Sequence, residues 1–491
     1  METESKRAEK MRRHCKQRWM KRYVAMALLL VMAVTLCAQG RAKYVFCFIG
    51  DGMGVNQVNM AETYLAAVKG NIGTEPLCFS SFPYVALVNT QSCDHGITDS
   101  AAGGTALATG RKTANGVLGM LADKTTPVHG IAYKAQQAGA AVGIATSVTV
   151  NHATPAAYYA HVKDRTEYYT IGTQMAASGY DFFAGADLLK AVPKKGGNLP
   201  TLYQLAEQNG YAIAYGWDEW QEMKQTSDKL ILLQGKAANK RDNHSIPYAV
   251  DREEGDLTLT QITQAAVEHL VALQQKKDGF FLMVEGGKID WACHAHDMCV
   301  VQEVIDMDSA VKVAYDFYRQ HPDETLIVVT ADHETGGLSM GRKKYQLHLD
   351  VLQYQHISIE RLGHALKQLH KTGDDTWEKV EQLLKQYFGF WDKVELSEEQ
   401  TQRLKTAYSR VKDGKGTDTE TLYQKDNELT ALVRDIQAEC ANVAWGTYDH
   451  SDGYVPCFAI GVGAERFHGR MDNTEVCRQL ERATGWEHGA K

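Results

Sequence analysis

Short, nearly uninterrupted apolar runs recur along the chain, separated by amphipathic stretches. Residues 44–50, 140–145, 280–284 and 325–330 contain scarcely a polar position. A strand with one wet face would alternate apolar and polar side chains, so continuous runs predict strands covered on both faces. Such strands alternating with helical stretches predict an α/β fold. The expected architecture is a three-layer sandwich, with a large, mostly parallel central sheet and helices on both faces. The texture changes over 341–442, where charged segments at helical spacing (357–369, 376–387 and 420–438) replace the strand-like runs. That stretch is expected to be a mainly helical insertion between core segments 41–340 and 443–491. The chain re-enters the core with a buried strand at 455–461.

The first forty residues follow another pattern. They hold nine Lys or Arg and three Glu, then an apolar run over 24–36 followed by the small residues Ala38 and Gly40. A basic stretch, about a dozen apolar residues and a small-residue cleavage region read as a secretory signal peptide over 1–40. The run falls short of the ~20 residues a spanning helix needs, so no stable membrane span is expected in the mature chain. The basic part is long for a signal, and Met11 and Met20 are alternative starts. Export would deliver the protein to the periplasm or the extracellular space.

Composition adds two constraints. With 491 residues, 44% of them hydrophobic, the chain can bury a large core. The signal holds six more basic than acidic residues, so its removal takes the net charge from −7 to −13. An acidic protein is a poor nucleic-acid binder, and a phosphate site in it must supply its own local positive charge. Ten cysteines are present, of which Cys15 and Cys37 would leave with the signal. Export permits disulfides, and Cys293 and Cys299 are close enough in sequence to cross-link.

Several predicted strands end in metal-binding groups. Asp51 follows one at residue 50, Glu285 another at 284, and Asp332 and His333 follow the run at 325–330. Ligands in open α/β sheets gather at the carboxyl ends of strands. Each group taken singly is as readily a helix cap or turn former. Gly50, Gly52 and Gly54 around Asp51 suit close approach to an ion, and the loop lacks the Lys and spacing of a P-loop. Asp290 and His294 lie four apart and could grip one ion from a helix face, although an exposed helix pair is the plainer reading. Ser100 stands where polar turn residues give way to a small-residue helical run. A helix N-terminus favours bound phosphate and a serine alkoxide, while Asp99 or Ser100 as a simple N-cap fits the same pattern. No Ser-His-Asp arrangement adjoins it, so a metal is expected to activate the hydroxyl.

Together these stretches resemble the alkaline phosphatase family. Asp51-Gly-Met-Gly, Thr98-Asp-Ser-Ala-Ala102, His152-Ala-Thr-Pro155, Glu285-Gly-x-x-Ile-Asp290, Thr330-Ala-Asp-His-Glu-Thr335 and the block at 447–461 occur in the family's order. The resemblance spans about 44–463 and is weakest across the helical stretch. It implies a homodimeric phosphomonoesterase with two zinc ions and one magnesium, acting on small phosphate monoesters. Ser100 would be the nucleophile and become a phosphoserine. Asp290, His294 and His450 would hold the first zinc, and Asp51, Asp332 and His333 the second. Asp51 would bridge to magnesium, which Thr154 and Glu285 would also bind. Arg165 would grip two phosphate oxygens, oriented by Asp99. Family members vary at the positions of His152 and Trp291, expected here to stand behind the metal ligands. Neither supplies a Lys charge, and an indole cannot ligate metal. A phosphodiesterase or sulfatase-like relative is the competing reading, and Thr154, Glu285 and Arg165 argue against it.

Overall fold

All seven residues of the strand β1 (Tyr44–Gly50) are buried. Side chains of a strand alternate between faces, so both faces must be covered. On one side Tyr44 and Phe46 meet Phe317 of the helix Val300–Gln320, with ring centroids 5.1 and 5.6 Å apart. On the other, the Cys47 Sγ lies 3.9 Å from the Tyr158 hydroxyl. The computed structural model describes residues 19–20, 40–193, 199–241, 244–343 and 345–486.

Beyond β1 the chain forms β2 (Tyr84–Asn89), β3 (Ala141–Thr146), β4 (Phe182–Gly185), β5 (Ala212–Tyr215), β6 (Leu230–Leu233), β7 (Phe280–Gly286) and β8 (Thr325–Thr330). Six short strands follow: β9 (Glu334–Thr335), β10 (Ser339–Met340), β11 (Asp418–Glu420), β12 (Lys425–Asn427), β13 (Val443–Ala444) and β14 (His450–Ser451). The chain then returns with β15 (Val455–Gly461) and β16 (Gly469–Asp472). Ten strands make one sheet in the order β16-β2-β15-β8-β1-β7-β3-β4-β6-β5. Its pairings are parallel except those of β15, which runs against both β2 and β8. The helices Leu259–Ala272 and Val300–Gln320 pack together over β3, β7, β1 and β8. The opposite layer includes Ser100–Thr109 against Asn473–Thr484. This is the α/β sandwich that the continuous apolar runs predict.

Residues Ala42–Lys491 form one compact unit, and the stretch 341–442 is part of it. Its helices Ile359–Thr372, Trp377–Phe388, Glu398–Lys412 and Glu428–Ala441 start at Ser358, Thr376, Ser397 and Asn427, whose side chains each accept a backbone N–H of the first turn. Leu362, Leu384, Phe388, Leu404, Val433 and Ile436 give it an apolar cluster of its own. The helical spacing read over 420–438 begins too early. Asn427 caps the helix, and the residues before it pair as the β11–β12 hairpin. Asp-Thr-Glu and Lys-Asp-Asn carry no apolar alternation, so no sequence pattern marks them as strands.

The described cysteines are free thiols, Cys293 and Cys299 included. The predicted signal peptide over 1–40 lies outside the described residues apart from Trp19, Met20 and Gly40. Among the described residues no helix is long and apolar enough to cross a membrane.

Phe46 is fully buried, edge-on to Phe280 at 5.2 Å and packed on Phe317. Phe46→Ala is expected to cost about 3–5 kcal/mol, because the packed sheet can collapse only partly into the cavity. The check is the urea midpoint, and a value equal to that of the unaltered chain would contradict the packing described here.

Candidate active site

The sheet register brings distant residues to one edge. β1 lies between β7 and β8 in parallel, with Ile49 opposite both Glu285 and Thr330. Asp51 just past β1, Glu285 near the end of β7 and Asp332 just past β8 therefore converge. Gly52 turns the chain there at φ +72°, and a Cβ on it would lie 2.8 Å from Thr335 Oγ1 and 3.0 Å from the Asp290 Cα. Only glycine meets both demands without strain. Asp290 and His294 sit on the helix Lys288–His294 that follows β7. His450 is added by β14, which pairs with β9 so that His450 faces Thr335.

Ser100 is the first residue of the helix Ser100–Thr109, whose residues are all buried. Small side chains let this helix approach the strand ends. A Cβ on Gly103 would lie 2.8 Å from the Asp332 carbonyl oxygen, and one on Gly104 would lie 3.2 Å from the Ala157 Cβ. Asp99 is the N-cap: its Oδ1 accepts from Ala102 N–H at 3.0 Å. Its Oδ2 accepts from Gly116 N–H and from Arg165 Nη1, each at 3.0 Å. Asp99 thus both caps the helix and holds the Arg165 guanidinium.

Three groups of donors are gathered closely enough to hold ions: Asp290 with His294 and His450, Asp51 with Asp332 and His333, and Asp51 with His152 and Glu285. Their hydrogen bonds assign the tautomers. His294 Nδ1 donates to the Tyr448 carbonyl at 2.5 Å, and His450 Nδ1 to the Thr98 carbonyl at 2.8 Å. Thr335 Oγ1 donates to Asp290 Oδ1 at 2.6 Å and so accepts from His333 Nδ1 at 3.1 Å. Each Nε2 then presents a lone pair inward. His294 and His450 Nε2 are 3.2 Å apart, and Asp290 Oδ1 is 3.3 and 3.7 Å from them. His333 Nε2 lies 3.3 Å from both Asp51 Oδ1 and Asp332 Oδ2, and 3.2 Å from Ser100 Oγ. Thr154 Oγ1 reaches Asp51 Oδ2 at 3.3 Å and Asp332 Oδ2 at 3.4 Å. No donor meets Asp51 Oδ1, Glu285 Oε1, Asp290 Oδ2 or His152 Nδ1. Imidazole nitrogens and carboxylate oxygens converging this closely fit cations, and mixed carboxylate-imidazole sets suit zinc.

The electrostatics agree. Burial, then the charges of Asp332, Asp290 and Glu285, push Asp51 far above the ordinary carboxylate range. Burial and then the Asp290 charge do the same to Asp332, and burial raises Glu285 to about 7. Burial also opposes the Asp290 charge, but His294, then His450 and His333, outweigh it and hold that carboxyl low. His152 is pushed down to about 3 by burial and then by Arg165, which keeps its imidazole neutral. Burial works against the Arg165 charge too, yet Tyr423 and then Asp99 hold its pKa above the ordinary value.

Every site residue expected from the sequence lies in this cluster or against it. His152 stands closer than expected, beside Asp51 and Glu285 rather than behind them. Trp291 is packed edge-on to His152 with centroids 6.2 Å apart. Position 291 brings no Lys charge, and the buried Lys288 three residues earlier keeps its Nζ over the Trp291 ring at 4.5 Å. Sequence reasoning missed Thr335, Thr146 and Tyr423. Thr335 was within reach, because it ends a quoted motif. Thr146, which donates to Glu285 Oε2, closes β3 with nothing local to mark it. Tyr423 arrives from the β11–β12 turn and stacks on Trp291 at 4.6 Å.

The family model for alkaline phosphatase matches residues 42–191 and 190–486. The chain belongs to the alkaline phosphatase family. Alkaline phosphatase 3 of Bacillus subtilis is 29% identical over 457 residues, spanning 91% of this chain and 89% of that protein. The Escherichia coli alkaline phosphatase is 31% identical over 336 residues, spanning 60% of this chain and 70% of that protein. Among solved structures, a cold-active alkaline phosphatase from Shewanella sp. superposes with a TM-score of 0.75 at 26% identity, covering 90% of this chain and 99% of that one. This alkaline phosphatase is therefore a phosphomonoesterase of a metal-dependent family.

Thr335→Val in this phosphatase removes the hydroxyl that links Asp290 to His333 and fixes the imidazole. It is expected to weaken metal binding about 10–100-fold, the usual cost of losing a partner behind a metal ligand. Competition titration against a chromogenic chelator measures it, and unchanged affinity would remove Thr335 from the ligand scaffold.

Proposed function

We propose that this alkaline phosphatase hydrolyses small phosphate monoesters through a phosphoserine on Ser100, using two zinc ions and one magnesium. The observation that carries the reading is the convergence of three imidazole Nε2 atoms and four buried carboxylates at the start of the Ser100 helix, with Ser100 Oγ 3.2 Å from His333 Nε2. Asp290, His294 and His450 would hold one zinc, and Asp51, Asp332 and His333 the other. Asp51, Thr154 and Glu285 would hold magnesium, with His152 beside them. When bound, the ions would supply the positive charge that favours the serine alkoxide and stabilises the entering and leaving oxygens of in-line transfer.

The remaining roles belong to the chain itself. Ser100 Oγ bonds to phosphorus as the ester P–O bond breaks and the alcohol departs. Water then cleaves the phosphoserine, releasing phosphate and restoring the hydroxyl. The amide N–H groups at the start of the helix Ser100–Thr109 and the planar fork of Arg165 offer donors to the phosphoryl oxygens. Asp99 keeps that fork aimed, and Ser100 Oγ faces inward, 3.2 Å from His333 Nε2. The basic-then-apolar residues 1–40 support export to the periplasm or outside the cell, and a homodimer is carried over from the family resemblance.

Chelation is expected to abolish hydrolysis of a chromogenic monoester at alkaline pH, and zinc with magnesium to restore it. Ser100→Ala should lower turnover by at least about 10³ and abolish acid-stable labelling by radioactive phosphate. Undiminished hydrolysis by the chelated enzyme, or labelling that survives in Ser100→Ala, would overturn the assignment.

A further inference from the structure

Tyr423 sits far from every recognised motif, yet it joins the site by four ring or charge contacts. Its ring stacks on Trp291 with centroids 4.6 Å apart and planes 20° off parallel. It stands edge-on to His294 at 5.4 Å and tilted to His152 at 6.2 Å. Burial keeps its hydroxyl protonated, and the Arg165 charge is near enough to act on it. One side chain thus touches an expected metal ligand and the His152–Trp291 pair.

The chain invests structure in holding that ring. The turn between β11 and β12 closes through Thr421 N–H and Oγ1, both donating to the Gln424 carbonyl at 2.8 and 3.1 Å. Within it Leu422 faces solvent, 63% exposed, while Tyr423 turns inward. Asp426 of β12 is buried against Arg434 at 3.0 Å. Arg434 also donates to the Ala295 carbonyl and to the Tyr448 hydroxyl, each at 3.0 Å. Tyr448 is the residue whose carbonyl fixes the His294 tautomer. A buried ion pair with its remaining donors satisfied is costly to disrupt, so the hairpin is a rigid support. Its position is coupled to His294 through that chain of bonds.

We propose that Tyr423 is a specificity-determining residue, a wall that admits a phosphoryl group bearing one ester arm and turns away one bearing two. This rests on the monoesterase reading above. In-line attack by Ser100 puts the leaving group opposite the serine and leaves three equatorial oxygens. Arg165 can take two of them. A diester must place its second arm on an equatorial oxygen, and we assign that side to the ring packed on Trp291, His294 and His152. Rejection by a filled volume discriminates more strongly than any attraction a monoester gains there.

The test compares kcat/KM for bis(p-nitrophenyl) phosphate and p-nitrophenyl phosphate in the zinc- and magnesium-loaded enzyme. Tyr423→Ala should raise the diester-to-monoester ratio by at least about tenfold, the scale of discrimination by pocket volume. Tyr423→Phe keeps the ring and should hold the ratio within threefold. A smaller rise in Tyr423→Ala, with monoester hydrolysis intact, overturns the proposal, and so does an equal rise in Tyr423→Phe. Should the alanine variant melt at a lower temperature, Tyr423→Leu provides the same comparison with the turn kept packed. The monoesterase reading fails separately, as wild-type enzyme inactive on the monoester after metal loading.

Discussion

Four carboxylates, Asp51, Glu285, Asp290 and Asp332, are buried together at one edge of the sheet, and three of them carry an oxygen that no donor reaches. Clustered carboxylates in a dry interior repel one another and lose their hydration, so the arrangement needs positive charge from some source. A protein could answer with Arg or Lys among them. Two cations on this side of the fold are engaged elsewhere: Arg165 is bound to Asp99, and Lys288 lies against the Trp291 and Tyr248 rings. Three inward Nε2 lone pairs make the same demand. The site is organised for cations from solution, in keeping with a metal-dependent family.

The topology serves that demand. Parallel pairing of β7, β1 and β8 makes their ends coincide, which antiparallel neighbours would not do. The apolar residues within those strands seal the acids from below, and the helix Ser100–Thr109 closes over them. That helix carries Gly103 and Gly104 where any larger side chain would strike Asp332 or press on Ala157. Its small-residue composition is thus a packing requirement of the site as much as a helical signal. The same close approach places Ser100 Oγ 3.2 Å from His333.

The helical stretch has its own apolar cluster, but one polar path leads from it into the site. Arg434, on its last helix, bonds to Asp426 in the hairpin, to Ala295 beside His294, and to Tyr448. Variation in such a stretch can alter the site's rim while the acids beneath it stay in place. The orphaned oxygens depend on the sheet, and the stacked Tyr423–Trp291 pair depends on the hairpin.

The sequence by itself determined the strands β1, β7, β8 and β15, because runs this apolar are stable only between two layers of helix. It also put acids and an imidazole at their ends, since Asp51, Glu285, Asp332 and His333 follow those runs directly. The resemblance to the family pointed to Ser100, Arg165, Thr154, Asp290, His294 and His450. Three things were decided only in the tertiary structure. His152 joins Asp51 and Glu285, Lys288 brings a cation to Trp291, and Tyr423 reaches the site from 132 positions beyond Trp291. Periodicity reports which side of an element is buried, and nearby residues report caps and turns. Neither records which distant side chains meet, because that follows from strand register, helix packing and the course of a polar hairpin with no apolar signature.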